Sequence, residues 1–267
     1  MKTVVITGAT AGIGFETAKQ LAQKGYRVIH LARNKDKARK ADSLIKAAAG
    51  HENVHHIVAD LADLRSIQEA AGKIKEISRR IDALINNAGG VIDTDDRSKD
   101  GIEMNFTINH LGHFYLTNLL LNELLASKAR VINVSSEAHK IGYLNIEQIK
   151  KNKGLTSGFK GYGDAKLCNL LFTKSLHERY SDRGLTAFSV HPGVVKTIKF
   201  AQLFMITPAK GASTSVYLAT KEGIEKNSGG YFKSRRLTTP STQATSDKNA
   251  EDLWALSEQM IKEALEN

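Results

Sequence analysis

The run Thr7-Gly8-Ala9-Thr10-Ala11-Gly12-Ile13-Gly14 constrains this chain more than any other feature. It follows a short β-branched run at 2–7 and opens the stretch 12–24, which carries Ile13, Thr17 and Leu21 at helical spacing. A strand that turns on glycine straight into a helix leaves the first helical N–H groups facing the turn. The positive end of the helix dipole faces it too, so the turn suits an anion. Gly8 permits the tight turn, Gly12 lets the backbone approach a pyrophosphate, and Gly14 allows close packing of helix on sheet. A glycine-rich turn is also an ordinary strand–helix connection. The strand before it and the helix after it point to a nucleotide.

The same alternation continues along the chain. Strand-like runs at 26–31, 54–58, 81–85, 130–134 and 185–190 are separated by helix-like runs at 35–49, 64–78, 101–126 and 162–180. The tail reads as helix at 209–219, a short strand at 231–232 and helix at 250–265. Repeated βα units predict an α/β fold, a Rossmann-type doubly wound parallel sheet with helices on both faces. Residues 1–267 are read as a single domain. With 41% hydrophobic residues there is material for one substantial core, and the 3 prolines lie in no linker-like tract.

Composition also narrows the function classes. No apolar run is long enough for a signal or a membrane span, since 116–125 is broken by Thr117, Asn118, Asn122 and Glu123. A cytoplasmic protein without a membrane anchor is expected. Cys168 is the one cysteine, which fits a reducing compartment and reads as a small buried residue. The formal charge of +10 favours polyanions. Lys35, Lys37, Arg39 and Lys40 lie on a predicted helix with no interleaved aromatics, so a phosphate-bearing cofactor is expected and nucleic acid is not.

The second strand ends in Ile29-His30-Leu31-Ala32-Arg33-Asn34. A nucleotide fold selective for NAD places an acid near this point for the ribose 2′-hydroxyl. None occurs between Tyr26 and Lys35. Arg33 stands there instead, matching the 2′-phosphate of NADP(H), and Lys37 could assist. NAD(H), with Arg33 pointing only to solvent, is the alternative.

Tyr162 and Lys166 are spaced to share a helix face. A free tyrosine titrates near ~10, and a neighbouring ammonium with an oxidised nicotinamide would lower that value. Alone, the same spacing describes an amphipathic helix with an exposed lysine. Ser136 ends the strand at 130–134, where its hydroxyl could steady a developing oxyanion. Ser135 is its neighbour and rival.

Taken together, the glycine turn, Asp60-Leu61, Asn86-Asn87-Ala88-Gly89, Asn109, Ser135-Ser136, Tyr162-Gly163-Asp164-Ala165-Lys166 and Pro192-Gly193 resemble the short-chain dehydrogenase/reductase family from end to end. Ala11 replaces the glycine usual in its extended members. The resemblance implies hydride transfer between a nicotinamide cofactor and a carbonyl or alcohol, without a metal. Gly8, Thr10, Gly12, Ile13 and Gly14 would cradle the pyrophosphate, and Asp60 and Leu61 would lie near the adenine. Asn86, Ala88 and Gly89 would line the adenine-ribose side with Asn87 beside them, although Asn86 would equally brace the sheet. Pro192, Gly193, Val195 and Thr197 would meet the nicotinamide carboxamide.

For catalysis the resemblance implies Tyr162 as acid–base group and Lys166 as its partner and holder of the nicotinamide ribose. Ser136, rather than Ser135, would bind the substrate oxygen. Asn109 would hold a relay water; Asn105 competes, and the following His110-Leu111-Gly112-His113-Phe114 favours Asn109. His110 and His113 lack a third ligand at metal spacing, and they and His191 read as structural.

That run, with Ala165-Lys166-Leu167-Cys168-Asn169, Ser189-Val190-His191-Pro192-Gly193, Leu253-Trp254-Ala255-Leu256-Ser257 and the long 136–162 loop, is similar to the retinol dehydrogenase and WW-domain oxidoreductase branch. It implies apolar aldehydes, ketones or alcohols. A substrate lid is expected near 196–212; it is short and apolar (Ile198, Phe200, Leu203, Phe204, Met205, Ile206), which predicts an open site and broad carbonyl reduction. Homo-oligomers, an NAD-dependent alcohol dehydrogenase and an NADP(H)-sensing protein without turnover stay open as alternatives.

Overall fold

In the computed structural model, which describes residues 1–193 and 206–266, the first strand already sets the plan. β1 (Thr3–Thr7) is buried throughout. Val4 and Ile6 enter one apolar cluster while Val5 enters another, because successive side chains of a strand point to opposite faces. A strand apolar on both faces needs cover on both, and crossover helices supply it.

The elements follow as α1 (Gly12–Gln23), β2 (Arg27–Ala32), α2 (Lys35–Ala49), β3 (Val54–Val58), α3 (Leu64–Ile77) and β4 (Ala83–Asn86). A one-turn α4 (Met104–Phe106) leads through a π-turn (Thr107–Leu111) into α5 (Gly112–Leu119), α6 (Leu121–Ala126) and β5 (Arg130–Val134). Then come α7 (Ile146–Asn152), α8 (Gly158–Tyr180), β6 (Thr186–His191), α9 (Pro208–Thr220), β7 (Tyr231–Lys233), β8 (Arg236–Thr238) and α10 (Asp247–Glu266). Among the described residues the strands form one sheet in the order β3-β2-β1-β4-β5-β6-β7-β8. Only the last pair is antiparallel. The order reverses between β1 and β4, the crevice where such sheets bind ligands. One cluster packs α1, α2 and α9 on the sheet; the other packs α3, α5, α6, α8 and α10 on the opposite face. Among the described residues no helix is long and apolar enough to cross a membrane.

The single helix expected over 101–126 is broken. Gly101 has φ +74°, and Glu103 turns its carboxylate onto Asn105 N (2.6 Å) and Phe106 N (2.9 Å), capping a start three residues later. The π-turn then widens the helix around Asn109, and Leu120 leaves helical geometry between α5 and α6. Apolar periodicity could not show this, because 105–114 is buried on nearly every side and carries no single face for a π-turn to shift. The helix carrying Tyr162 begins one turn earlier than 162, at Gly158. Helix α7 and strand β8 were not expected. The tail helix starts at Asp247, and its Trp254 packs edge-on against Phe114, with centroids 4.9 Å apart.

Candidate active site

The glycine turn is held in shape by close approaches. Gly8 (φ +72°) and Gly12 (φ +59°) occupy the left-handed region that side chains resist. A Cβ on Gly14 would lie 2.2 Å from the Gly8 carbonyl oxygen, so helix and turn touch there. A Cβ on Gly12 would project into open space, which leaves that backbone approachable. Helices α2, α3, α7 and α9 are capped by the side chains of Asn34, Asp63, Asn145 and Thr207. Helix α1 starts from Ala11 with no side-chain cap and no acid in its first turn. Its free N–H groups and open backbone fit a pyrophosphate.

The neighbouring strand end fastens this turn. The Thr7 hydroxyl accepts from Asn87 N and Ala88 N, both at 2.9 Å. Asn87 Nδ2 donates to the Thr7 carbonyl (2.8 Å) and reaches that of Gly8 (3.2 Å). Asn86 faces the other way, donating to Thr117 Oγ1 (3.1 Å) and Asn133 Oδ1 (2.8 Å), and Asn133 continues to Thr173 Oγ1 (2.9 Å). It braces the sheet. Arg33 follows β2, exposed and without an ion pair among the described residues. Asp60 Oδ1 accepts from Ala62 N (2.9 Å), and the Leu61 side chain is in the core.

Lys166 is the centre of the second group. It is only 3% exposed, and its Nζ donates to the Val134 carbonyl (3.1 Å). A Cβ on Gly89 would lie 2.3 Å from Asn109 Oδ1 and 3.4 Å from Lys166 Nζ, so glycine is what lets these three groups meet. Asn109 clasps Gly90 twice: Oδ1 accepts from its N–H and Nδ2 donates to its carbonyl, both at 3.0 Å. Asn105 instead ties loops together, accepting from Ile92 N (3.1 Å) and donating to the Ile92 (2.8 Å) and Thr156 (3.2 Å) carbonyls. Of the two asparagines, Asn109 stands beside the lysine.

The Ser136 side chain stands close enough to the Tyr162 phenol to act on its proton equilibrium. Ser135 turns inward, and its Oγ donates to the Lys166 carbonyl (2.8 Å), tethering α8 to the end of β5. Ser136 Oγ also accepts from Ala138 N (3.2 Å). In the protein without a nicotinamide, desolvation governs the tyrosine and the lysine alike. Burial raises the Tyr162 phenol, against the opposing pull of Ser136. Burial also pushes the Lys166 ammonium down to about 7. Its Nζ lies over the tyrosine ring, 5.2 Å from the centroid. Two groups withdrawn from water both favour their neutral forms.

Pro192 and Gly193 follow β6; Gly193 has φ +94° and packs against Ile206. Val195, Thr197 and most of the expected lid lie outside the described residues. His191 Nδ1 accepts from Glu137 N (3.3 Å), and burial pushes its imidazole down to about 4. His110 is buried against Ser257 Oγ (3.0 Å) and His113 against Thr7 Oγ1 (2.8 Å). Among the described residues no group of three or more His, Cys, Asp or Glu side chains could hold a metal. Cys168 is fully buried, which pushes its thiol up. Val91, Ile141, Tyr143 and Phe159 are exposed apolar side chains close in sequence to Gly90, Ser136 and Tyr162. Phe159 lies 6.1 Å from the Tyr162 ring, and a Cβ on Gly163 would meet Ile141 Cγ1 at 3.0 Å.

Comparison with known proteins bears on the same constellation. The family model for short chain dehydrogenases matches residues 2–204. Mouse retinol dehydrogenase 11 is 39% identical over 269 residues, covering 96% of this chain and 85% of that protein. Human WW domain-containing oxidoreductase is 40% identical over 285 residues, covering 99% of this chain and 69% of that protein. The crystal structure of an uncharacterized protein from Mycobacterium paratuberculosis superposes with a TM-score of 0.83 at 33% identity, covering 98% of this chain and 94% of that one. Actinorhodin polyketide ketoreductase, solved with NADPH, shares the fold at a TM-score of 0.69 and 23% identity, covering 87% of this chain and 95% of that one.

Proposed function

The chain belongs to the short chain dehydrogenase family, on its retinol dehydrogenase-like branch, and from that premise we propose that it transfers hydride between NADP(H) and an apolar aldehyde or ketone, or the corresponding alcohol. The observation that carries this reading is the convergence of Tyr162, Ser136, Lys166 and Asn109 beside the uncapped glycine turn. Bound NADPH supplies the hydride. Gly8, Thr10, Gly12, Ile13 and Gly14 would hold its pyrophosphate, and Arg33 its 2′-phosphate. Asp60, Leu61, Asn87, Ala88 and Gly89 would line the adenosine side, and Pro192 and Gly193 the nicotinamide.

In reduction the phenol of Tyr162 gives its proton to the carbonyl oxygen, and the Ser136 hydroxyl donates a hydrogen bond to the same oxygen. Burial keeps the tyrosine protonated until it is needed. Lys166, with Nζ above the ring, favours the phenolate as the proton leaves. Asn109, clasped to Gly90, holds the lysine side of the relay. In oxidation each transfer runs backwards. The exposed apolar side chains of Phe159, beside the Tyr162 ring, and Ile141, against Gly163, support an apolar substrate.

The test is NADPH oxidation, followed against a panel of aldehydes, ketones and quinones with Tyr162→Phe alongside. The reading expects turnover on apolar carbonyls and a loss of about 10²–10⁴ in kcat for the variant. Tight NADPH binding with no turnover across the panel would defeat it in favour of a sensing protein.

A further inference from the structure

We propose that His113 is a positioning residue: a neutral imidazole carrying its hydrogen on Nδ1 that couples the phosphate turn, through Thr7, to the Asn109 end of the catalytic face. The proposal rests on the reading of Asn109 and the glycine turn given above. Neither Tyr162 nor Lys166 is bonded to this histidine, and nothing in the reaction as described uses it.

The hydrogen bonds fix the tautomer. The Thr7 hydroxyl accepts two backbone N–H groups, from Asn87 and Ala88, at 2.9 Å each. Those two donors occupy both lone pairs of a hydroxyl oxygen. The hydroxyl hydrogen is then left for His113 Nε2, 2.8 Å away, so Nε2 accepts. The other ring nitrogen, Nδ1, faces the Asn109 carbonyl oxygen at 3.3 Å. A carbonyl only accepts, so Nδ1 bears the hydrogen. Thr7, Asn109 and His113 are all at most 1% exposed, so bulk solvent does not reach these groups. A second proton on the ring would break the pattern. Burial and the facing Lys166 charge both hold the imidazole neutral, pushing it down to about 3.

One side chain therefore spans from the strand that begins the glycine turn to the π-turn that carries Asn109. Its two bonds can be removed separately. The glutamine amide sits at the depth of Nε2 and can keep the Thr7 bond; the asparagine amide sits at the depth of Nδ1 and can keep the Asn109 bond.

Histidine-selective ¹⁵N NMR of the free protein should show His113 as the Nδ1–H tautomer, without protonation between about pH 5 and 8. Kinetics and NADPH titration should then split. His113→Gln should keep NADPH affinity within about twofold and lose about tenfold or more in kcat, with a shifted pH profile. His113→Asn should lose NADPH affinity and keep more of kcat. An Nε2–H tautomer, a titrating His113, or folded variants that match the parent or lose both parameters in equal proportion would overturn the proposal. The NMR and NADPH titration need no turnover. An inactive parent with the expected tautomer and the expected split in affinity would therefore defeat the reductase reading and leave the coupling standing.

Discussion

The turn at 7–14 and the face around Lys166 meet at neighbouring strand ends, yet they handle polar groups in opposite ways. In the turn, donors are left unmet: α1 has no side-chain cap, and Gly12 opens its backbone to solvent. Around Lys166 the polar groups are already engaged within the protein. Asn109 is clasped to Gly90, Ser135 to the Lys166 carbonyl, and Lys166 to the Val134 carbonyl. An anion site gains by presenting unsatisfied N–H groups, since the ligand arrives with its own charge. A proton-transfer site gains by fixing distances before the ligand comes.

The sharpest way to break this contrast is Ser136→Ala. It removes one donor from the fixed face, and kcat should fall by about 10²–10³ with NADPH affinity unchanged. A parallel loss of affinity would mean that the two regions are not separable. Gly14→Ala probes the other side. Its Cβ would meet backbone at 2.2 Å, so denaturant unfolding should show a loss of about 1–3 kcal/mol along with weaker NADPH binding. Gly12→Ala has room but a strained φ. It should cost only about 1–2 kcal/mol and should also weaken the nucleotide.

Arg33→Ala sharpens the comparison within the cofactor. Loss of a charge-assisted contact to the 2′-phosphate should weaken NADPH by about 1.5–3 kcal/mol and leave NADH alone. Equal effects on both nucleotides would remove Arg33 from the site. The smallest effect is expected at Glu137, just past Ser136. It accepts from the Tyr231 hydroxyl (2.7 Å) and pairs with Lys140 (2.9 Å), and these partners outweigh burial to hold its carboxyl down at about 2. A depressed carboxylate stabilises the fold above its ordinary value of 4.5 and loses that contribution as pH falls toward 2. Glu137→Gln should therefore cost about 0.5–1 kcal/mol at pH 7, shrinking on acidification below 4.5. A cost that is undiminished at pH 2 would assign the loss to packing.

Strand and helix identity was readable wherever the apolar period was plain. Helix α2 and strands β3 and β5 fall at their expected bounds. The break at Glu103, the π-turn at Asn109 and helix α7 were not readable, because apolar period does not register caps or a local change of helical pitch, and the break is further fixed from a distance. Glu103, for example, also caps Leu155 N (3.1 Å), on the approach to α8. The choice between Asn105 and Asn109 needed the family pattern, and the structure supplies its physical basis: only Asn109 lies against Gly89 and Lys166.

The sequence by itself determined the alternation of strands and helices, the glycine turn and the absence of an acid between Tyr26 and Lys35. Each of these is written in adjacent residues and their local conformational limits. Tertiary structure alone decided that Lys166 is buried and pushed toward neutrality, that Asn87 fastens the turn while Asn86 braces the sheet, and that His113 spans both regions. These depend on which groups are withdrawn from water together, and desolvation is set by what surrounds a residue in space, whatever lies beside it in the chain.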